Sequence, residues 1–94
     1  MNFDHLKWDD IARSEQIVLS CLRDDGAIGD TLIKAFEAGK FVAIVQLVDA
    51  LGYMAAYHLC RRFDDEAAAI AHMESQMDKA VCYAIAGVSG LNDE

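Results

Sequence analysis

The chain has 94 residues and a formal net charge of −8, from 16 acidic and 8 basic residues. A surface of this sign repels nucleic acid and anionic membranes, so it argues against direct binding to either. The length fits a single helical domain, residues 1–94, although a hydrophobic content of 54% is generous for its size. Proline is absent and apolar residues recur at helical spacing, so the sequence predicts an all-α fold.

The first predicted helix begins near Asp4 or Asp9, because aspartates cap a helix and complement its dipole, and it ends at Arg23. Its apolar arc consists of Trp8, Ile11, Val18, Leu19 and Leu22. Glu15 falls inside this arc, where an unpaired carboxylate is costly. It should therefore be half-exposed at a shallow interface, or paired with an arginine or across a subunit boundary.

A short second helix is predicted from Asp30 to Ala38, where Gly39 ends it. The third predicted helix, residues 40–62, is apolar almost all round, which is typical of a buried helix or a membrane helix. Its main apolar side comprises Phe41, Ile44, Val45, Val48, Leu51, Ala55 and Leu59. Gly52 lies on the same side, which suggests the close approach of a neighbouring helix. The central Asp49 weighs against a membrane span, so we expect this helix to be central and buried.

The fourth predicted helix begins at Asp64. Its expected core stripe is Ile70, Met73, Met77, Ala80, Val81, Ala84 and Val88, and the opposite side carries His72, Ser75 and Lys79. The sequence thus predicts a compact bundle of about four helices, with a short second helix and the third between the others. The remaining apolar surface makes a homodimer possible.

No motif for catalysis or phosphate binding occurs, so we expect a protein that is not an enzyme and has no cofactor. Three cysteines without a CxxC motif, at positions 21, 60 and 82, indicate reduced and buried thiols in a cytoplasmic protein, and the N-terminus does not resemble a secretory signal. The histidines and cysteines show no paired metal-ligand spacing, so no metal site is predicted.

Two surfaces are candidates for partner binding. The tyrosine strip is the narrow polar side of the third helix and consists of Gln46, Asp49, Tyr53 and Tyr57. Tyrosine anchors beside polar groups are typical of interfaces, although the strip could simply be a solvent-facing edge. The second candidate is the acidic run Asp64, Asp65 and Glu66, for which helix capping is the alternative explanation.

These observations favour a small acidic protein that binds a larger protein partner and inhibits or regulates it, as inhibitors, immunity proteins and antitoxins do. The partner would present a basic surface, such as a groove that binds nucleic acid. The alternative is a structural or adaptor subunit whose main role is self-association within a complex.

Overall fold

The structure, a computed structural model, describes residues 1–87 and contains helices α1 (Trp8–Arg23), α2 (Ile28–Phe63) and α3 (Glu66–Ala86). No strand occurs among these residues, and the all-α prediction is confirmed. The structure has three helices instead of the predicted four, because the two predicted helices on either side of Gly39 and Lys40 join at a kink and form α2. The chain divides into two compact units, Met1–His58 and a second that begins at Leu59. Val88, assigned to a core stripe from the sequence, lies outside the described residues.

A sharp kink inside α2 lies at the predicted break. Gly39 (φ −155°, ψ 16°) and Lys40 (φ 60°, ψ −144°) leave helical geometry there. A β-carbon at position 39 would lie 2.9 Å from the β-carbon of Ala43, so glycine is required for space. The rings of Phe36 and Phe41 meet edge-to-face across the kink, with centroids 5.3 Å apart. The glycine was thus a correct sign of a break, and the chain turns within this residue pair.

The core of the first unit contains one residue from each of three helical sections. Ile17 comes from α1, Ala35 from α2 before the kink and Leu47 from α2 after it. Ala35 and Leu47 are fully buried, and Ile17 is nearly so. Three partly buried residues surround this cluster: Ile28, Ile44 and Leu51. The kink therefore brings both sections of α2 into one core with α1.

The buried side of α2 matches the predicted one only in part, because Ile44 and Leu51 pack against the core as predicted but other members of that side do not. After the kink, the buried residues are Ala43, Leu47 and Ala50. Phe41, Val45 and Val48 are instead 76%, 67% and 58% exposed. A β-carbon at Gly52 would meet no neighbouring helix within 4 Å, so the predicted close approach at this glycine is wrong. Because this section is apolar on almost every side, hydrophobicity alone does not select the side that packs. Two alanines flank the buried leucine, and small side chains allow a neighbouring helix to approach closely.

The connection between α1 and α2 is held by polar groups. The Ser20 hydroxyl donates to Oδ1 of Asp25, and the backbone N–H of Ala27 donates to the same oxygen at 3.0 Å. These hydrogen bonds, first that from Ser20 and then that from Ala27, lower the pKa of the Asp25 carboxyl. Ser20 is itself buried at the end of α1, so the network fixes where α2 begins.

The predicted core side of α3 is exposed in the second unit. Five large apolar residues, which we call the α3 stripe, are 47–83% exposed: Ile70, Met73, Met77, Val81 and Ile85. Ala69 is the one buried residue among those described in α3. His72, assigned to the outer side from the sequence, is half-buried with its ring centroid 4.9 Å from that of Phe63. The predicted core stripe of this helix is therefore wrong.

The core contact can be tested on two adjacent residues of α2. Leu47→Ala should lower the free energy of unfolding by about 2–5 kcal/mol, because Leu47 is fully buried and the change leaves a cavity. Val48→Ala is the matched control, and it should change stability by roughly 0.5 kcal/mol or less because Val48 is largely exposed. Urea denaturation followed by circular dichroism measures both. Equal losses of stability in the two variants would contradict the burial of Leu47 and the exposure of Val48.

The kink can be tested through the dihedral angles of Lys40. Lys40→Gly should raise the free energy of unfolding by about 1 kcal/mol, because this backbone conformation is strained for any residue with a β-carbon. Lys40→Ala removes the same charge but keeps the β-carbon, so it should bring no such gain. Gly39→Ala should destabilise the fold through the contact with Ala43. If Lys40→Gly and Lys40→Ala prove equally stable, the kink is not where the structure has it.

Candidate functional site

The tyrosine strip is covered by the N-terminal segment, residues 1–7. The Phe3 ring lies edge-to-face against both Tyr53 and Tyr57, with each pair of centroids 5.9 Å apart. The His5 ring packs on Tyr53 at 4.8 Å, and its Nε2 atom lies 2.8 Å from Oδ2 of Asp49. Both tyrosines are half-buried as a result.

Gln46, the first member of the strip, lies one turn before Asp49 and is also half-buried. The four residues are thus aligned along α2 as the sequence predicted. The surface that three of them form is in contact with the chain's own N-terminus. This segment covers part of both tyrosines, and their role in binding stays a prediction.

The acidic run at the start of α3 has a structural role. The Asp65 carboxylate accepts a hydrogen bond from the backbone N–H of Ala67 at 2.9 Å and caps the helix. Glu66 occupies the first turn, where a negative charge complements the helix dipole. Asp64 adopts φ 54°, the left-handed conformation that aspartate tolerates better than most residues. All three are exposed, so capping leaves them accessible to a partner.

Glu15 pairs with a residue that the sequence did not suggest. Nε2 of His58 lies 3.1 Å and 3.0 Å from the two carboxylate oxygens of Glu15. Both side chains are about half exposed, as expected for a carboxylate at a shallow interface. The pair joins α1 to α2, and it is separated by 43 positions, which no local pattern could reveal.

The potential metal ligands do not gather. Among residues 1–87, no group of three histidine, cysteine, aspartate or glutamate side chains could hold a metal ion. Cys21 and Cys82 are exposed and Cys60 is half-buried, so the expected burial is wrong for the first two. All three are free thiols.

Two exposed apolar surfaces were not predicted from the sequence. One is the α2 apolar face, formed by Phe41, Val45 and Val48, and the other is the α3 stripe. Their residues recur three or four positions apart, so each set lies along one side of its helix. Contiguous exposed apolar surface of this kind marks sites of association. The amphipathic spacing was the correct signal, but it was interpreted as core.

By length and hydropathy, α2 could also cross a membrane. An 18-residue window of α2 has a mean hydropathy of 1.4, and only 11% of that window is buried. This is weak evidence, because core helices and signal sequences have the same composition. Asp49, near the middle of the helix after the kink, would be costly in a bilayer.

The α3 stripe is bordered by carboxylates. Glu74 lies one turn after Ile70, and Asp78 lies one turn after Glu74. Both are exposed, and no lysine or arginine occurs in the sequence between Phe63 and Asp78. An apolar surface with an acidic border is complementary to an apolar surface with a basic border.

No protein-family model matches this chain, and neither does any curated protein or solved structure.

A double-mutant cycle tests whether the N-terminal segment packs on the tyrosine strip. Phe3→Leu and Tyr53→Leu should show a coupling energy of about 0.5–1.5 kcal/mol, the usual value for an edge-to-face aromatic pair. The measurement is the free energy of unfolding of the parent, both single variants and the double variant. A coupling energy of zero would mean that the strip is not covered in solution.

Proposed function

We propose that this protein is a non-catalytic interaction protein that binds a larger protein through the α3 stripe and inhibits or regulates it by occupancy. The supporting observation is that five large apolar residues along one side of α3 are about half exposed or more. The partner's contact surface would be apolar with a basic border. A basic groove that binds nucleic acid fits this description.

The apolar part of the stripe supplies the affinity. Complete burial of a Leu, Ile, Val or Met side chain is worth about 1.5–3 kcal/mol, and each stripe residue has about half or more of that still available. Summed over the stripe, this amounts to several kcal/mol, which is the scale of interface hot spots. Met73 and Met77 lie at its centre, and flexible methionines adapt to a partner's shape.

The acidic border supplies the selectivity. Carboxylates beside the stripe raise the association rate of a basic partner and repel an acidic one. Asp64, Asp65 and Glu66 extend the negative charge to the start of the helix. Asp65 is poorly suited to a charge-reversal test because it caps α3. Glu74 and Asp78 have no capping role and are better choices.

Self-association within a complex is the second candidate. The α2 apolar face supports it, since this face is as exposed as the α3 stripe. The two functions differ in their response to salt. Salt weakens attraction between an acidic and a basic surface, whereas it reduces repulsion between two copies that each carry a charge of −8.

The test is affinity capture from cells of the source organism with three baits: the parent protein, Met73→Gln/Met77→Gln, and the control Ala71→Gln/Ser75→Gln. Glutamine and methionine have similar helix propensities, and all four positions are exposed, so both variants should stay folded. The parent and the control should retain the partner, while the stripe variant should lose at least about 2 kcal/mol of affinity, roughly 30-fold.

Raising the salt from about 0.05 M to about 0.5 M should also release the partner. Glu74→Gln/Asp78→Asn should weaken the binding and flatten its salt dependence. Capture of the same protein by the stripe variant would rule out this surface. If sedimentation shows that the purified chain assembles, and that salt strengthens this assembly, self-association is the function instead.

A further inference from the structure

We propose that the first unit contains a binding site for a small organic cation, in a cavity between the N-terminal segment, the start of α1 and α2. The cavity volume is about 550 Å³, within the range of small-molecule sites. Its lining combines three aromatic residues, three aliphatic ones and a single carboxylate. This site is separate from the α3 stripe, and neither proposal depends on the other.

The aromatic residues of the lining are Phe3, Trp8 and Tyr57. The face of an aromatic ring carries negative electrostatic potential and attracts a cation within about 6 Å, most strongly for tryptophan. Phe3 and Tyr57 are held at 87° to each other with centroids 5.9 Å apart, so the two rings are fixed in different orientations. Trp8 is 82% exposed, which leaves its indole open to a ligand.

The charge of the lining selects a cation. Asp4 is its one formally charged residue among those described, and it contributes no lysine, arginine or histidine. The backbone N–H of Asp4 donates to Oδ1 of Asn2 at 2.9 Å, which orders the chain at this point. An anionic ligand would meet a carboxylate and three aromatic rings, so the lining disfavours it.

The remaining lining residues favour a ligand with an apolar body. Leu6, Ile11 and Met54 provide aliphatic surface that would contact methyl or methylene groups. A quaternary ammonium group meets both requirements, because its charge is spread over methyl groups and it forms no hydrogen bonds that would need partners. The site therefore suits a free quaternary amine.

Trp8 is the only tryptophan, so its fluorescence reports directly on this cavity. The probes are choline and its uncharged isostere, 3,3-dimethylbutan-1-ol, titrated into the full-length protein. Choline should change the emission of Trp8 in a saturable way, and the isostere should bind at least about fivefold more weakly because it lacks the cation. Phe3→Leu should weaken choline binding while circular dichroism remains unchanged.

Asp4→Asn should also weaken choline binding, to near the affinity of the isostere. Asp24→Asn is the matched control: it removes the same charge at the other end of the 16-residue α1, where asparagine tolerates the left-handed conformation. Equal weakening by both substitutions would reduce the effect to net charge and overturn the proposal.

The proposal is also overturned if choline and its isostere bind equally. The proposal is also overturned if choline quenches the fluorescence of Trp8 without saturation, in the same way as it would quench free N-acetyltryptophanamide. A peptide containing trimethyllysine is the last probe. Binding tighter than that of choline would assign the cation to a protein partner rather than to a free small molecule.

Discussion

The first unit depends on one contact, in which Leu47 meets Ile17 and Ala35. An unkinked α-helix rises about 1.5 Å per residue, so Ala35 and Leu47 would be separated by roughly 18 Å along its axis. The kink at Gly39 and Lys40 is therefore a condition for the core. The exposure of Phe41, Val45 and Val48 follows from the same choice, because only one side of the helix can face this contact.

Local features of the fold could be predicted from the sequence, and long-range ones could not. The all-α class, the end of α1 at Arg23 and the break at Gly39 depend on residues that are neighbours in the chain. The side of α2 that packs depends on which neighbour fits closely. A helix that is apolar all round has no polar side to settle that choice, so the larger residues were wrongly placed in the core. On α3, amphipathic spacing was read as burial, although spacing shows only that the residues share a side.

In the candidate surfaces, too, local features could be predicted from the sequence and long-range contacts could not. The alignment of Asp49, Tyr53 and Tyr57 followed from helical spacing, whereas their cover by residues 1–7 did not. That segment has no periodicity, and its contacts link positions more than 40 residues apart, as His5 and Asp49 do. Capping by Asp65 was predictable, since an aspartate before a helix start is a strong local signal. The proposed cation site could not be predicted from the sequence, because it combines residues of the N-terminal segment, α1 and α2.

The kink also stores backbone strain in α2. Lys40 occupies a backbone conformation that costs about 1–3 kcal/mol for a residue other than glycine, and straightening the helix would release this energy. The burial of Ile17, Ala35 and Leu47 opposes that release. If α2 straightened, the helical section before the kink would swing away, and the same three residues could meet only between two chains, as in domain swapping. The choice between a closed chain and an exchanged pair thus rests on the dihedral angles of two adjacent residues, Gly39 and Lys40.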